Sequence, residues 1–178
     1  LKTGNWSLTK HRLPWLLVLM ISATFTGGII SRYESALQTT IILTAFIPML
    51  MDTGGNSGSQ SSSLIIRGLA LGQIETRDFF QVIWKEFSVG SFSGAILAAV
   101  NFLRIYFLEK VDLNIAITVS LTLFVTVVLA KVVGGILPLA AKRLKMDPAV
   151  MAGPLITTIV DAVVLIIYFN LASIFLGI

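Results

Sequence analysis

The sequence contains no cysteine, which excludes disulfides and thiolate metal sites. It contains a single histidine, His11, too few for a histidine-cluster metal centre. Charge is scarce. The 13 Lys or Arg and 9 Asp or Glu make up 12% of the 178 residues, about half the usual share of roughly 25%. No GxxxxGKS or GxxxxGKT stretch occurs, so the backbone cradle of a P-loop nucleotide site is missing. Nothing at the start reads as a cleavable signal peptide, because the first apolar run lacks a small-residue cleavage site followed by a polar mature chain.

What is abundant is apolar surface. The hydrophobic fraction is 56% and the mean hydropathy is +0.91. The length fits one domain, and a water-soluble domain of that size cannot hide so much apolar area. The composition therefore excludes a water-soluble enzyme, a disordered tail and an ordinary nucleic-acid binder. The net charge of +4 is no sign of an anionic polymer partner, because basic residues gather at the cytoplasmic ends of membrane spans. Opening on Leu1 rather than Met, the chain is expected to be a piece of a longer protein.

A bilayer core about 30 Å thick takes about 20 apolar helical residues to cross. Five segments qualify: Leu13 to Ser31, Ser35 to Met51 and onward into a polar stretch, Phe87 to Leu108, Leu113 to Leu139, and Pro148 to Ile178. The runs are continuous and do not alternate, which argues against a strand barrel. The fold class expected is an all-α membrane protein with five transmembrane helices, residues 13–178, preceded by a polar cytoplasmic linker, 1–12. Lys2, Lys10, Arg12, Arg67, Arg77, Lys85, Lys142, Arg143 and Lys145 fall on one side, and Arg32, Arg104 and Lys110 on the other. Nine against three puts the N-terminus in the cytoplasm and the C-terminus outside the cell membrane. Residues 74–86 mix Glu75, Arg77, Asp78, Lys85 and Glu86 with Phe79, Phe80, Val82, Ile83 and Trp84. That pattern predicts a short amphipathic helix at the cytoplasmic interface, a solvated linker being the alternative.

The second segment carries the first chemical signal. On a helix, Asp52, Asn56, Gln60, Ser63 and Arg67 step by 4, 4, 3 and 4 and form one polar stripe. Gly54, Gly55 and Gly58 beside it allow close backbone approach or a local break. Polar groups at membrane depth face protein or water, not lipid. The stripe is thus either the wall of a water-filled pathway or a hydrogen-bonded Gly/Ser packing seam.

The fifth segment carries the second. Asp147-Pro148 has the form of an N-cap with proline at the first helical position. The run that follows holds one charge, Asp161, about 20 Å along the helix axis at 1.5 Å per residue. An intramembrane carboxylate is a functional-site hypothesis by default. Gly153, Thr157 and Asp161 share a face, Thr158 lies three residues before Asp161, and Pro154 frees the Val150 carbonyl. Carboxylate, hydroxyls and carbonyl make an all-oxygen environment that suits hard cations such as Mg2+ or Ca2+. The structural alternative pairs Asp161 with Lys131, which can instead snorkel to the interface. Gly90, Gly94 and Ala98 read as a packing face, and Pro138 as a kink or helix end.

These two stretches carry a resemblance. Pro48 to Gln60, with Asp52, Gly55-Asn56, Gly58 and Gln60, followed by Ile66-Arg67-Gly68-Leu69-Ala70-Leu71-Gly72, resembles the second transmembrane helix of MgtE magnesium channels. Met146-Asp147-Pro148-Ala149 through Gly153-Pro154, Thr157-Thr158 and Asp161 resembles their fifth. The likeness implies a homodimer with a pore on the two-fold axis, lined by the second and fifth helices of both copies. It places the family's pore aspartate on Asp161 and a further metal position on Asp147. It also implies cytosolic regulatory domains in the full-length chain that are not in this sequence, and it implies no nucleic-acid partner.

The expected mechanism follows. Mg2+ gives up water reluctantly, so Asp161 is expected to hold a hydrated ion through its waters. Carbonyls near Pro154 and the side chains of Asn56 and Thr157 would orient the shell. Gly55, Asp52, Gln60, Gly153 and Thr158 complete the expected lining. The rival expectations are a proton- or sodium-coupled carrier with Asp161 titrating, and a non-transporting membrane assembly subunit.

Overall fold

The computed structural model describes residues 5–33, 38 and 40–177. They form five long helices: α1 (Asn5–Arg32), α2 (Ile42–Ala70), α3 (Phe79–Leu103), α4 (Leu113–Arg143) and α5 (Pro148–Leu176). A 3-10 turn, Thr76–Asp78, precedes α3, and a π-helical turn, Arg104–Leu108, follows it. Among the described residues, three stretches are long and apolar enough to cross a membrane: Thr76–Leu108, Leu113–Arg143 and Leu155–Leu176. In α1 the apolar stretch is shorter, Leu16–Arg32.

α4 is the hub. It packs on α2, α3 and α5, while α2 also packs on α5, and α1 lies on α5. More than half of the apolar window of α4 is buried, 56%, against 17% for the stretch that includes α3. The core joins Leu43, Phe46 and Leu50 of α2, Val119, Leu123 and Val127 of α4, and Ile156, Val160, Leu165 and Phe169 of α5. The outer face of α3 leaves Phe80, Trp84, Phe92, Ile96 and Val100 exposed, a surface suited to lipid rather than water. Gly90 and Gly94 form the inner face of α3. A Cβ at either would stand 3.0 Å from the backbone of α4, at Val128 Cα and Phe124 O.

The helix ends follow from local chemistry. Asp112 caps α4, its carboxylate accepting from Asn114 N–H at 2.8 Å. At the end of α2, Gly72 takes φ +67°, and Gln73 N–H bonds back to the Gly68 carbonyl at 2.9 Å. Such a left-handed residue closes a helix with least strain when it is glycine. Asn101 joins α3 to α4 through Ser120, and Arg104 bonds Asn101 and Glu109 in the π turn.

As the sequence reading expects, the polar stretch after Met51 stays in one helix with the apolar run before it, and α2 runs from Ile42 to Ala70. Two boundaries differ from that reading. Residues 74–86 are not a separate short helix, because α3 starts at Phe79 and carries its charged residues straight into the apolar run. α4 also continues through Pro138 to Arg143.

Candidate functional site

α2 brings its glycines to its neighbours. A Cβ at Gly54 would stand 2.7 Å from Val160 Cγ1 of α5 and 2.9 Å from Thr126 Cγ2 of α4. One at Gly58 would meet Ile156 Cγ2 at 2.5 Å and the Ala130 carbonyl at 3.1 Å. The absent side chains therefore let α2 seat against α4 and α5. The polar stripe is turned the other way: Asp52, Asn56, Gln60, Ser63 and Arg67 are all exposed. Of the two alternatives for this stretch, the glycine and serine face is the packing seam, and the Asp/Asn/Gln face is open.

Beside that seam α2 and α5 leave a groove of about 250 Å³ lined by Met51, Asp52, Gly55, Asn56, Ser59, Thr157 and Asp161. Five of the sequence candidates thus meet in one place: Asp52, Gly55, Asn56, Thr157 and Asp161. Asn56 Nδ2 donates to Asp52 Oδ2 at 3.0 Å, one turn apart on α2, so the amide orients the carboxylate. Gly55 keeps the floor low, since a Cβ there would stand 3.4 Å from Thr157 Cγ2. Its polar side chains are all oxygen-bearing: two carboxylates, an amide and two hydroxyls. Among the described residues no three His, Asp or Glu side chains converge on one point. A single copy therefore offers no three-carboxylate cage for a bare cation.

The remaining candidates stand outside this lining. Gln60 lies one turn beyond Asn56 on the exposed face. Thr158 is half-buried beside the groove residues of α5. Asp147 is exposed at the start of α5, fourteen residues before Asp161 and about 21 Å away along the axis. Gly153 and Pro154 lie in α5, but their surroundings are outside the described residues.

Two buried charges of the bundle have partners that the sequence pattern does not reveal. Lys131, 6% exposed, pairs with neither Asp161 nor the interface: its Nζ donates to Gln60 Oε1 at 2.8 Å. Glu86, 8% exposed, accepts from Ser61 Oγ at 2.5 Å. Adjacent α2 residues are thus held by α4 and α3. The partners are 71 and 25 residues apart in sequence, beyond the reach of any helical periodicity. A mid-run lysine next to Gly134-Gly135 was the available signal. Ser61→Ala is expected to destabilise the chain by about 1–2 kcal/mol, the upper range for hydrogen bonds between membrane helices. Thermal denaturation in detergent reads it, and an unshifted melting temperature counts against the tie.

Long apolar helices packed around α4, with an acidic groove open on one side, define a helical membrane protein. The chain belongs to the MgtE family: residues 47–171 match that family, described as divalent cation transporter. It is 34% identical over 174 residues to the magnesium transporter MgtE of Bacillus subtilis, covering 98% of this chain and 38% of that protein. It is 35% identical over 175 residues to the magnesium transporter MgtE of Thermus thermophilus, again covering 98% and 38%. The chain spans less than two fifths of the length of these relatives. The family is one of transporters, not of enzymes, and no reaction chemistry is assigned to the groove.

Proposed function

We propose that this chain is the membrane part of a magnesium transporter, and that hydrated Mg2+ moves along the groove between α2 and α5. The single observation that carries this is the meeting of Asp52, Asn56, Thr157 and Asp161 around one cavity. Two carboxylates supply counter-charge and the neutral oxygens orient waters. A six-water Mg2+ ion, with Mg–O about 2.1 Å and a water radius of about 1.4 Å, occupies about 180 Å³. The cavity of about 250 Å³ is comparable with that volume, in keeping with an ion that keeps its shell. That no third acid converges there among the described residues favours contact through water. A second copy facing the first across a two-fold axis, with α2 and α5 of both around the path, doubles the carboxylates. In this reading all five helices cross the membrane, α1 (28 residues) and α2 (29 residues) being long enough at about 1.5 Å per residue. Residues 1–12, the turn bearing Arg77 and the first turns of α3 with Lys85 lie on the cytoplasmic side. Asp147, at the cytoplasmic start of α5, offers a third carboxylate to the ion as it leaves. Gly153, Pro154 and Thr158 extend the lining on α5, and Gln60 on α2. Cytosolic domains of the full-length chain would govern opening.

A membrane potential supplies about 2.3 kcal/mol per charge per 100 mV, so about 4.6 kcal/mol for a divalent ion. Flux down this gradient needs no coupling ion. The test is Mg2+ entry into liposomes holding the full-length chain. Entry that follows the potential and ignores an imposed pH or sodium gradient supports the channel. Entry that needs either gradient points to a coupled carrier, and absence of entry to a non-transporting subunit. Asp52→Asn is expected to reduce the rate several-fold, less than loss of Asp161, because Asp52 is the more exposed of the two and water screens it. Equal rates for Asp52→Asn and wild type would remove Asp52 from the path.

A further inference from the structure

Lys131 reaches Gln60 by a built route. Its stem passes Gly90 of α3, where a Cβ would stand 3.6 Å from its own. One residue earlier on α4, the Ala130 carbonyl lies against Gly58 of α2. At the end of that route the ammonium donates to Gln60 Oε1, one turn from Asn56 on the open stripe. The buried carboxylate of Glu86 packs on the same α3–α4 contact, where a Cβ at Gly135, one turn after Lys131, would stand 3.0 Å from its Cγ, but it bonds a different α2 residue, Ser61. Gln60 is exposed while Ser61 is fully buried. The ammonium therefore ends on a residue of the stripe and the carboxylate on its buried neighbour.

A fixed positive charge acts on a divalent ion with twice the energy it exerts on a monovalent one. Conduction requires binding firm enough for entry and weak enough for release. With Asp52 and Asp161 pulling on the ion in each copy, release is the step at risk. We propose that Lys131 is a positioning residue that promotes release: its buried charge, delivered to the stripe through Gln60, weakens cation binding next to the groove so that a bound divalent ion moves on. This rests on the conduction reading above.

The test is the concentration dependence of Mg2+ entry into liposomes holding the full-length chain, as wild type, Lys131→Gln, Lys131→Arg and Gln60→Glu, with Asp161→Asn alongside. Lys131→Gln is expected to lower both the half-saturating Mg2+ concentration and the maximal rate at least threefold. Gln60→Glu, which neutralises the ammonium without deleting it, is expected to shift both the same way. Lys131→Arg is expected to stay within twofold of wild type. Half-saturation unchanged or raised in the two charge-cancelling variants overturns the inference. So does an Arg variant as impaired as the Gln variant, since packing rather than charge would then be at work. If Lys131→Gln does not fold, Lys131→Met, which also removes the charge and adds none to the lining, decides by the same criterion. Loss of entry in Asp161→Asn with no shift in the other variants overturns this inference alone. Unchanged entry in Asp161→Asn overturns the pathway and this inference with it.

Discussion

Asp161→Asn is expected to cut Mg2+ entry into liposomes about 30- to 150-fold at sub-saturating concentration while leaving the fold intact. The substitution keeps the side chain's shape and removes its charge. At an effective dielectric of about 20, unit charges about 4–5 Å apart interact by about 3–4 kcal/mol, and a divalent ion doubles that. Much of this is lost to the water between carboxylate and ion. Even a remainder of about 2–3 kcal/mol is a 30- to 150-fold change in occupancy. Stability should move the opposite way. A carboxylate at membrane depth costs about 2.5–3.5 kcal/mol on insertion scales, and no Lys131 partner offsets it, since that ammonium is engaged by Gln60. The Asn variant is therefore expected to melt at the same or a higher temperature than wild type without Mg2+. It is also expected to gain less from added Mg2+, because a ligand stabilises only the state that binds it. Wild-type entry rates in the Asn variant would take the ion path away from Asp161.

How much of this was legible beforehand differs between residues, for physical reasons. Hydropathy located the apolar helices because burying or immersing twenty apolar residues outweighs any local preference. The predicted start of the last helix, Pro148, is where α5 begins, since proline at the first helical turn forfeits no hydrogen bond. The polar stripe was legible too. A step of four residues keeps one face on any helix, and the exposed positions of Asp52, Asn56, Gln60, Ser63 and Arg67 follow it. Membrane burial, by contrast, is not a one-dimensional property. Glu86 read as an interfacial charge because other charged residues crowd it in sequence. In the fold it lies on the α4 side of α3, where a Cβ at Gly135 would come within 3.0 Å of its Cγ.

The same limit separated Asp161 from Lys131. Both are lone charges in apolar runs, and opposite sign made a pair the structural alternative to an ion path. Geometry gives each a different neighbour. Asp161 shares a groove with α2's Asp52 and Asn56, while Lys131 leaves α4 past Gly90 towards Gln60. Which face of α4 looks at which face of α2 depends on the crossing of the two helices. That crossing is set by the glycines at the contact, whose meaning appears only when both partners are known.

Gly134→Ala is accordingly expected to be among the more damaging single-methyl additions, about 2–3 kcal/mol, the cost of overpacking a tight contact. A Cβ there would fall on the Gly58 carbonyl of α2, with the Gly58 Cα at 3.0 Å. The obstacle is backbone on both sides, so no side-chain rotation relieves it and α2 must move off α4. In detergent the melting temperature should drop by about 5–10 °C. Gly27→Ala is the control. It adds the same methyl to α1 with nothing within 4 Å, and alanine's better helix propensity is expected to leave the melting temperature equal or higher. The loss should reach function as well, because α2 also carries Asp52 and Asn56 and touches α5 at Gly54. Displacing α2 separates those side chains from Thr157 and Asp161, and Mg2+ entry should fall even in the fraction that stays folded. A Gly134→Ala chain that melts with wild type and conducts normally would show that α2 and α4 do not meet at Gly58 and Gly134.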